Sequence, residues 1–83
     1  ASDSPFWDIS SSNLIKNVIV YCAAQLGYFT LLDVYRAIVR ATKENLAEDL
    51  KAKLKNNIYS VEERFNIERA IEYFEHEYSQ LED

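Results

Sequence analysis

Glycine, proline, cysteine and histidine each occur once in these 83 residues, and methionine not at all. A single glycine and a single proline leave almost no tight-turn chemistry, which argues against a sheet-rich fold. The one cysteine, Cys22, cannot close an internal disulfide and fits a reducing compartment. One histidine, His76, excludes a histidine-based metal cluster. A Walker phosphate loop needs two glycines and a lysine at fixed spacing, so the chain should neither bind nor hydrolyse ATP. No apolar run approaches the ~20 residues of a membrane span. The start is polar and acidic, unlike the basic-then-apolar opening of a signal peptide.

What is present is a large apolar fraction, 48%, in a chain of one-domain length. That is ample for a packed core and too high for a disordered tail. The net charge of −5 is unevenly spread. Residues 1–35 carry a net −2, residues 36–55 a net +3 and residues 60–83 a net −6. Overall acidity opposes strong non-specific nucleic-acid binding, which depends on neutralising phosphates, but a local basic face survives in the middle.

The punctuation predicts four helices and a compact all-α bundle. A first helix from Pro5 to about Leu26 has Ser4 as N-cap and proline at the first helical position, where a missing N–H costs nothing. Trp7, Leu14, Ile15, Val18, Ile19, Cys22 and Leu26 form its stripe, with Cys22 as inert core. Ser10-Ser11-Ser12-Asn13 weakens the helix and marks a place for a kink or a short lead-in. Gly27 stands where a C-terminal cap wants positive φ.

Thr30 and Asp33 form a variant capping box, with Phe29 and Val34 as its staple. The second helix runs to about Ala41, with Leu31, Val34, Tyr35 and Ile38 inward. A third, Asn45 to about Asn56, pairs Asn45 with Glu48 as caps and has only the seam Leu46, Leu50, Leu54. It should lie outside the bundle with its lysines in water. Ser60 and Glu63 box the fourth, whose stripe is Val61, Phe65, Ala70, Ile71, Phe74, Tyr78 and Leu81.

No catalytic constellation emerges. Nothing activates a particular serine for a triad. Glu68, Glu72, Glu75 and Glu77 read as a solvated acidic face, since a di-metal bundle repeats Glu-x-x-His on two helices and this chain does not. No metal or other cofactor is expected. The one constellation with functional potential is basic: Arg36, Arg40, Lys43, Lys51, Lys53 and Lys55. Arg36 and Arg40 are one turn apart, as are Lys51 and Lys55. On antiparallel neighbouring helices they would merge into a DNA-binding surface; the bland alternative is an ordinary mixed-charge face. Tyr28, Tyr59 and Tyr73 are candidate exposed aromatics for an interface.

One order of motifs goes further. Ser4-Pro5-Phe6-Trp7-Asp8 leads into the apolar helix ending Val18-Ile19-Val20-Tyr21, then Tyr28-Phe29-Thr30-Leu31-Leu32-Asp33-Val34-Tyr35-Arg36. This order resembles the all-alpha domain of type IV secretion coupling proteins, hexameric ATPases that deliver DNA and protein substrates to a conjugation channel. The likeness is best over residues 5–40, moderate over 61–82 and poor over 42–58, where the middle is unusually compact. Glu72-Tyr73-Phe74-Glu75-His76 looks like the family's last helix. The resemblance implies an insert between the Walker A and Walker B parts of a RecA-like domain, on the cytoplasmic side. It implies a non-catalytic role in recognising DNA, relaxosome or secreted protein, with the rest of the ATPase as a further partner. It also implies antiparallel first and last helices, with Pro5 and Leu81 close together. The competing expectation is a small helical adaptor that binds a partner helix and no nucleic acid.

Overall fold

The computed structural model describes residues 5–78, with side chains from residue 11 onward. They form α1 (Pro5–Leu26), α2 (Leu31–Ala41), α3 (Ala47–Asn56) and α4 (Val61–Glu72), and α4 continues into a π-helical turn, Tyr73–Glu77. No strand occurs among the described residues, as the scarcity of turn residues requires. No single helix among them is long and apolar enough to cross a membrane.

Local chemistry sets most boundaries. Gly27 has φ +74° and ends α1, its N–H bonding the carbonyl of Ala23 at 3.0 Å. The Thr30 hydroxyl accepts from the Asp33 N–H, and the Asp33 carboxylate accepts from the Thr30 N–H at 3.0 Å, closing the expected box. Ser60 and Glu63 do the same at 3.1 and 2.9 Å. α1 continues unbroken through Ser10–Asn13, so the weak propensity there does not break the helix. The start of α3 corrects the sequence reading. The helix begins at Ala47, not Asn45, and Leu46 holds the cap position with no side-chain bond. The Asn45 side chain accepts from the Ala47 N–H at 2.9 Å, while the Glu48 side chain turns to Lys51. The Ser4 cap and the approach of Pro5 to Leu81 fall outside the described residues.

α1 is the common support, packing against α2, α3 and α4; α3 also packs on α4. Near its end, Val20, Ala23 and Ala24 lie beside Tyr59, Glu63 and Ile67, while the upstream Asn13 and Lys16 lie beside Arg69, Tyr73 and Glu77. The first and last helices are therefore antiparallel neighbours. The core takes Val18, Tyr21 and Cys22 from α1, Val34, Ala37 and Ala41 from α2, and Leu46, Ala47 and Leu50 from the start of α3. Ile67, Ala70, Tyr73 and Phe74 close it from the last helix. Four alanines in that set let helices approach closely. α3 buries one narrow seam, as expected, and Lys51 and Lys55 are exposed. Lys53, however, is half-buried, and Leu46 and Leu50 make α3 a core element rather than an outer one.

Several expected core residues are outside. Ile15, Ile19, Leu26, Leu31, Tyr35, Val61 and Phe65 are exposed, with Leu31 and Val61 each 87% accessible. Ile67 takes the place expected of Phe65, and Tyr21 enters the core from the flank of the α1 stripe. The reason is capacity: the apolar stripes supply more large side chains than the shared interior encloses.

Gly27→Ala should cost about 1–2 kcal/mol, from left-handed backbone strain alone, because a Cβ there meets nothing within 4 Å. Leu50→Ala, at a fully buried site, should cost about 2–5 kcal/mol. Val61→Ala should cost under about 0.5 kcal/mol. Urea titration followed by circular dichroism ranks the three; equal costs for Leu50 and Val61 would overturn this core.

Candidate functional site

The six basic residues divide into tied and free. Arg40, at the end of α2, donates to Glu44 Oε1 at 3.1 Å and Asp49 Oδ2 at 3.2 Å. Its guanidinium also lies 5.9 Å from the centre of the Tyr21 ring, and the Tyr21 hydroxyl donates to the same Asp49 oxygen at 2.7 Å. One carboxylate thus gathers α1, α2 and α3. Lys51 pairs with Glu48 at 3.5 Å and with Glu75 of the π-helical turn, linking α3 to the last helix. Exposed ion pairs of this kind stabilise only weakly, but they hold the cations in place. Arg36, Lys43, Lys53 and Lys55 have no ion-pair partner among the described residues. Lys43 borders a cleft with Phe74, Glu75 and Tyr78.

The outer face of α2 is a second feature. Leu32, Tyr35, Arg36 and Val39 are all exposed, and their spacing of three and four residues puts them on one side of the helix. Ile15, Ile19 and Leu26 repeat the pattern on α1. Tyr28, in the connection between the two, is 97% exposed, as an interface aromatic would be. Tyr59 is half-buried. Tyr73, expected at the surface, is instead 3% exposed, because the turn that carries it packs Tyr73, Phe74 and Tyr78 ring against ring at 5.2–6.3 Å.

A third feature escaped the sequence reading. Between α1 and the last helix lies a polar cleft of about 190 Å³, lined by Asn13, Lys16, Asn17, Val20, Phe65, Asn66, Arg69, Tyr73 and Glu77. The Arg69 guanidinium stands 5.8 Å from the centre of the Phe65 ring. The i, i+4 pair Phe65–Arg69 was legible as one helix face. That Asn13 and Lys16 stand opposite it was not, since that depends on how α1 and α4 pack.

Among the described residues, no group of three or more His, Cys, Asp or Glu side chains could hold a metal ion. Cys22 is buried, its thiol pushed up first by burial and then by the Asp33 charge, so it is poorly nucleophilic. No family model matches the chain, and no curated protein or solved structure is significantly similar to it.

Two tyrosines give the bundle an alkaline limit. Burial, then the Asp49 hydrogen bond and charge, raises the Tyr21 hydroxyl to about 12; burial, then Tyr78 and Glu77, does the same for Tyr73. An unfolded tyrosine ionises near 10, below the folded value. The stabilisation is therefore whole below pH 10 and is lost as pH rises through 12. Urea midpoints should fall over this window, and Tyr21→Phe should make the fall shallower. An unchanged slope would remove Tyr21 from the account.

Proposed function

We propose that this chain is a non-catalytic recognition domain of a type IV coupling ATPase, working on the cytoplasmic side and docking a relaxosome or secreted protein. The observation that carries the reading is the outer face of α2, where Leu32, Tyr35 and Val39 surround the unpaired cation Arg36. Exposed aromatic and aliphatic side chains around an arginine are the composition that protein interfaces favour. The free positive charge in that apolar face selects an acidic amphipathic segment as the occupant. The all-α bundle with antiparallel first and last helices is what an inserted domain needs, and the motif order from Pro5 to Arg36 supplies the family.

DNA is the second reading, favoured by the four free cations Arg36, Lys43, Lys53 and Lys55. It ranks lower because Arg40 and Lys51, two of the six phosphate ligands expected, already have carboxylate partners. Phosphate contacts alone carry no sequence information, so any selectivity for a transfer origin would come through the docked protein.

Two double variants separate the readings. Leu32→Asp/Tyr35→Asp should weaken capture of purified relaxosome proteins at least about tenfold, a loss of roughly 1.4 kcal/mol. Lys53→Glu/Lys55→Glu, which leaves Arg36 in place, should abolish salt-sensitive anisotropy changes with labelled transfer-origin DNA. Loss of DNA binding with protein capture intact would make DNA the cargo. Capture unchanged in both variants, or a wild-type dimer that Leu32→Asp/Tyr35→Asp dissolves, would overturn protein docking at α2.

A further inference from the structure

The α1–α4 cleft differs from the rest of this acidic molecule in its charge and in its donors. Lys16 and Arg69 face into it, and neither has an ion-pair partner among the described residues. Glu77 is the one carboxylate lining it, so the local balance is +1 in a chain of −5. Asn66 and Asn13 add amide groups; the Asn17 amide is already donating to the Asn13 carbonyl at 2.7 Å. Tyr73, 3% exposed, carries a buried hydroxyl with no hydrogen-bond partner among the described residues. A buried, unsatisfied hydroxyl normally costs about 1–3 kcal/mol and calls for an explanation. Phe65, 57% exposed, offers an apolar wall, and Arg69 is steadied over its ring.

We propose that this cleft binds an organic monocarboxylate with a short apolar stem. The carboxylate would take charge-assisted hydrogen bonds from Arg69 and Lys16, with the Tyr73 hydroxyl as a neutral third donor. The stem would lie along Phe65 and Val20. A guanidinium and a phenol suit the planar two-oxygen group. The single net positive charge matches a monoanion, whereas a dianionic phosphate would meet Glu77 with a charge left over. The site is on a different face from the outer side of α2 and uses none of its residues, so it stands or falls independently of cargo docking.

The probe is N-acetylphenylalanine, titrated into the full chain labelled with nitrogen-15, with N-acetylphenylalaninamide and phenyl phosphate as controls. The acid should shift the backbone amides of Asn13, Lys16, Asn66, Arg69 and Tyr73 in a saturable way, and the amide should not. Arg69→Gln should weaken the acid at least about tenfold. Tyr73→Phe should weaken it severalfold while leaving the urea midpoint at neutral pH unchanged or raised, because the hydroxyl it removes holds nothing in the free protein. Equal shifts with acid and amide would overturn a carboxylate site. Tighter binding of phenyl phosphate would reassign it to phosphate and overturn the monoanion preference. No saturable shift with any of the three compounds would overturn the proposal. So would a Tyr73→Phe variant that loses stability and binding together, since the hydroxyl would then be structural.

Discussion

Everything in this bundle leans on one side of α1. Val18, Tyr21 and Cys22 are the surface on which α2, α3 and α4 all rest, and none of those helices is long enough to stand alone. Four of the facing positions are alanine, at Ala37, Ala41, Ala47 and Ala70. Small residues bring the helices close and make the shared interior shallow. Leu46 and Leu50 are the largest side chains fully enclosed there. A core this thin gives each large buried side chain an outsized share of the stability.

The same shallowness creates the surface. Once the inner row of α1 is covered, Ile15, Ile19 and Leu26 have nowhere to go but outward, and α2 repeats the outcome with Leu32, Tyr35 and Val39. Large apolar side chains left in water on two adjacent helices are a cost in solubility. Polar anchoring runs separately, through Asp49. Its one carboxylate oxygen accepts from both Tyr21 and Arg40, tying three helices at a half-exposed point. Arg40 is thereby a positioning residue, whereas Arg36, one turn earlier, is free to meet a partner.

How much of this could be read in advance follows the range of each interaction. Caps and helix ends were legible, because Thr30 with Asp33, Ser60 with Glu63 and Gly27 act within one turn. Asn45 shows the limit even there: Leu46 takes the cap position, and the Asn45 side chain accepts from the Ala47 N–H. Which apolar residues turn inward was much less legible. In α4 both Phe65 and Ile67 fit a helical stripe, and only the placement of α1 selects Ile67. The widened turn at Tyr73 draws in a side chain whose polar tip suggested the surface. The α1–α4 cleft could not be read at all, since Lys16 and Arg69 are far apart in sequence and meet only through packing.

Charge placement then decides what kind of recognition this fold can support. A nucleic-acid surface gains affinity from cations that shed counterions on contact, so a cation already paired to a carboxylate contributes little and leaves its partner to repel phosphate. Arg40 and Lys51 are in that position, with Glu44, Asp49, Glu48 and Glu75 beside them. The basic stretch of the sequence is therefore, in three dimensions, a mixed-charge belt that holds α3 to its neighbours. Among the described residues, Lys43, Lys53 and Lys55 also lack an ion-pair partner, but two settings combine such charge with other side chains: exposed apolar groups at Arg36, and amides and a buried hydroxyl at Lys16 and Arg69. Both settings suit a ligand that brings an apolar body and a modest negative charge. On the two proposals above, such sites would favour a protein segment or a small organic anion over a polyphosphate.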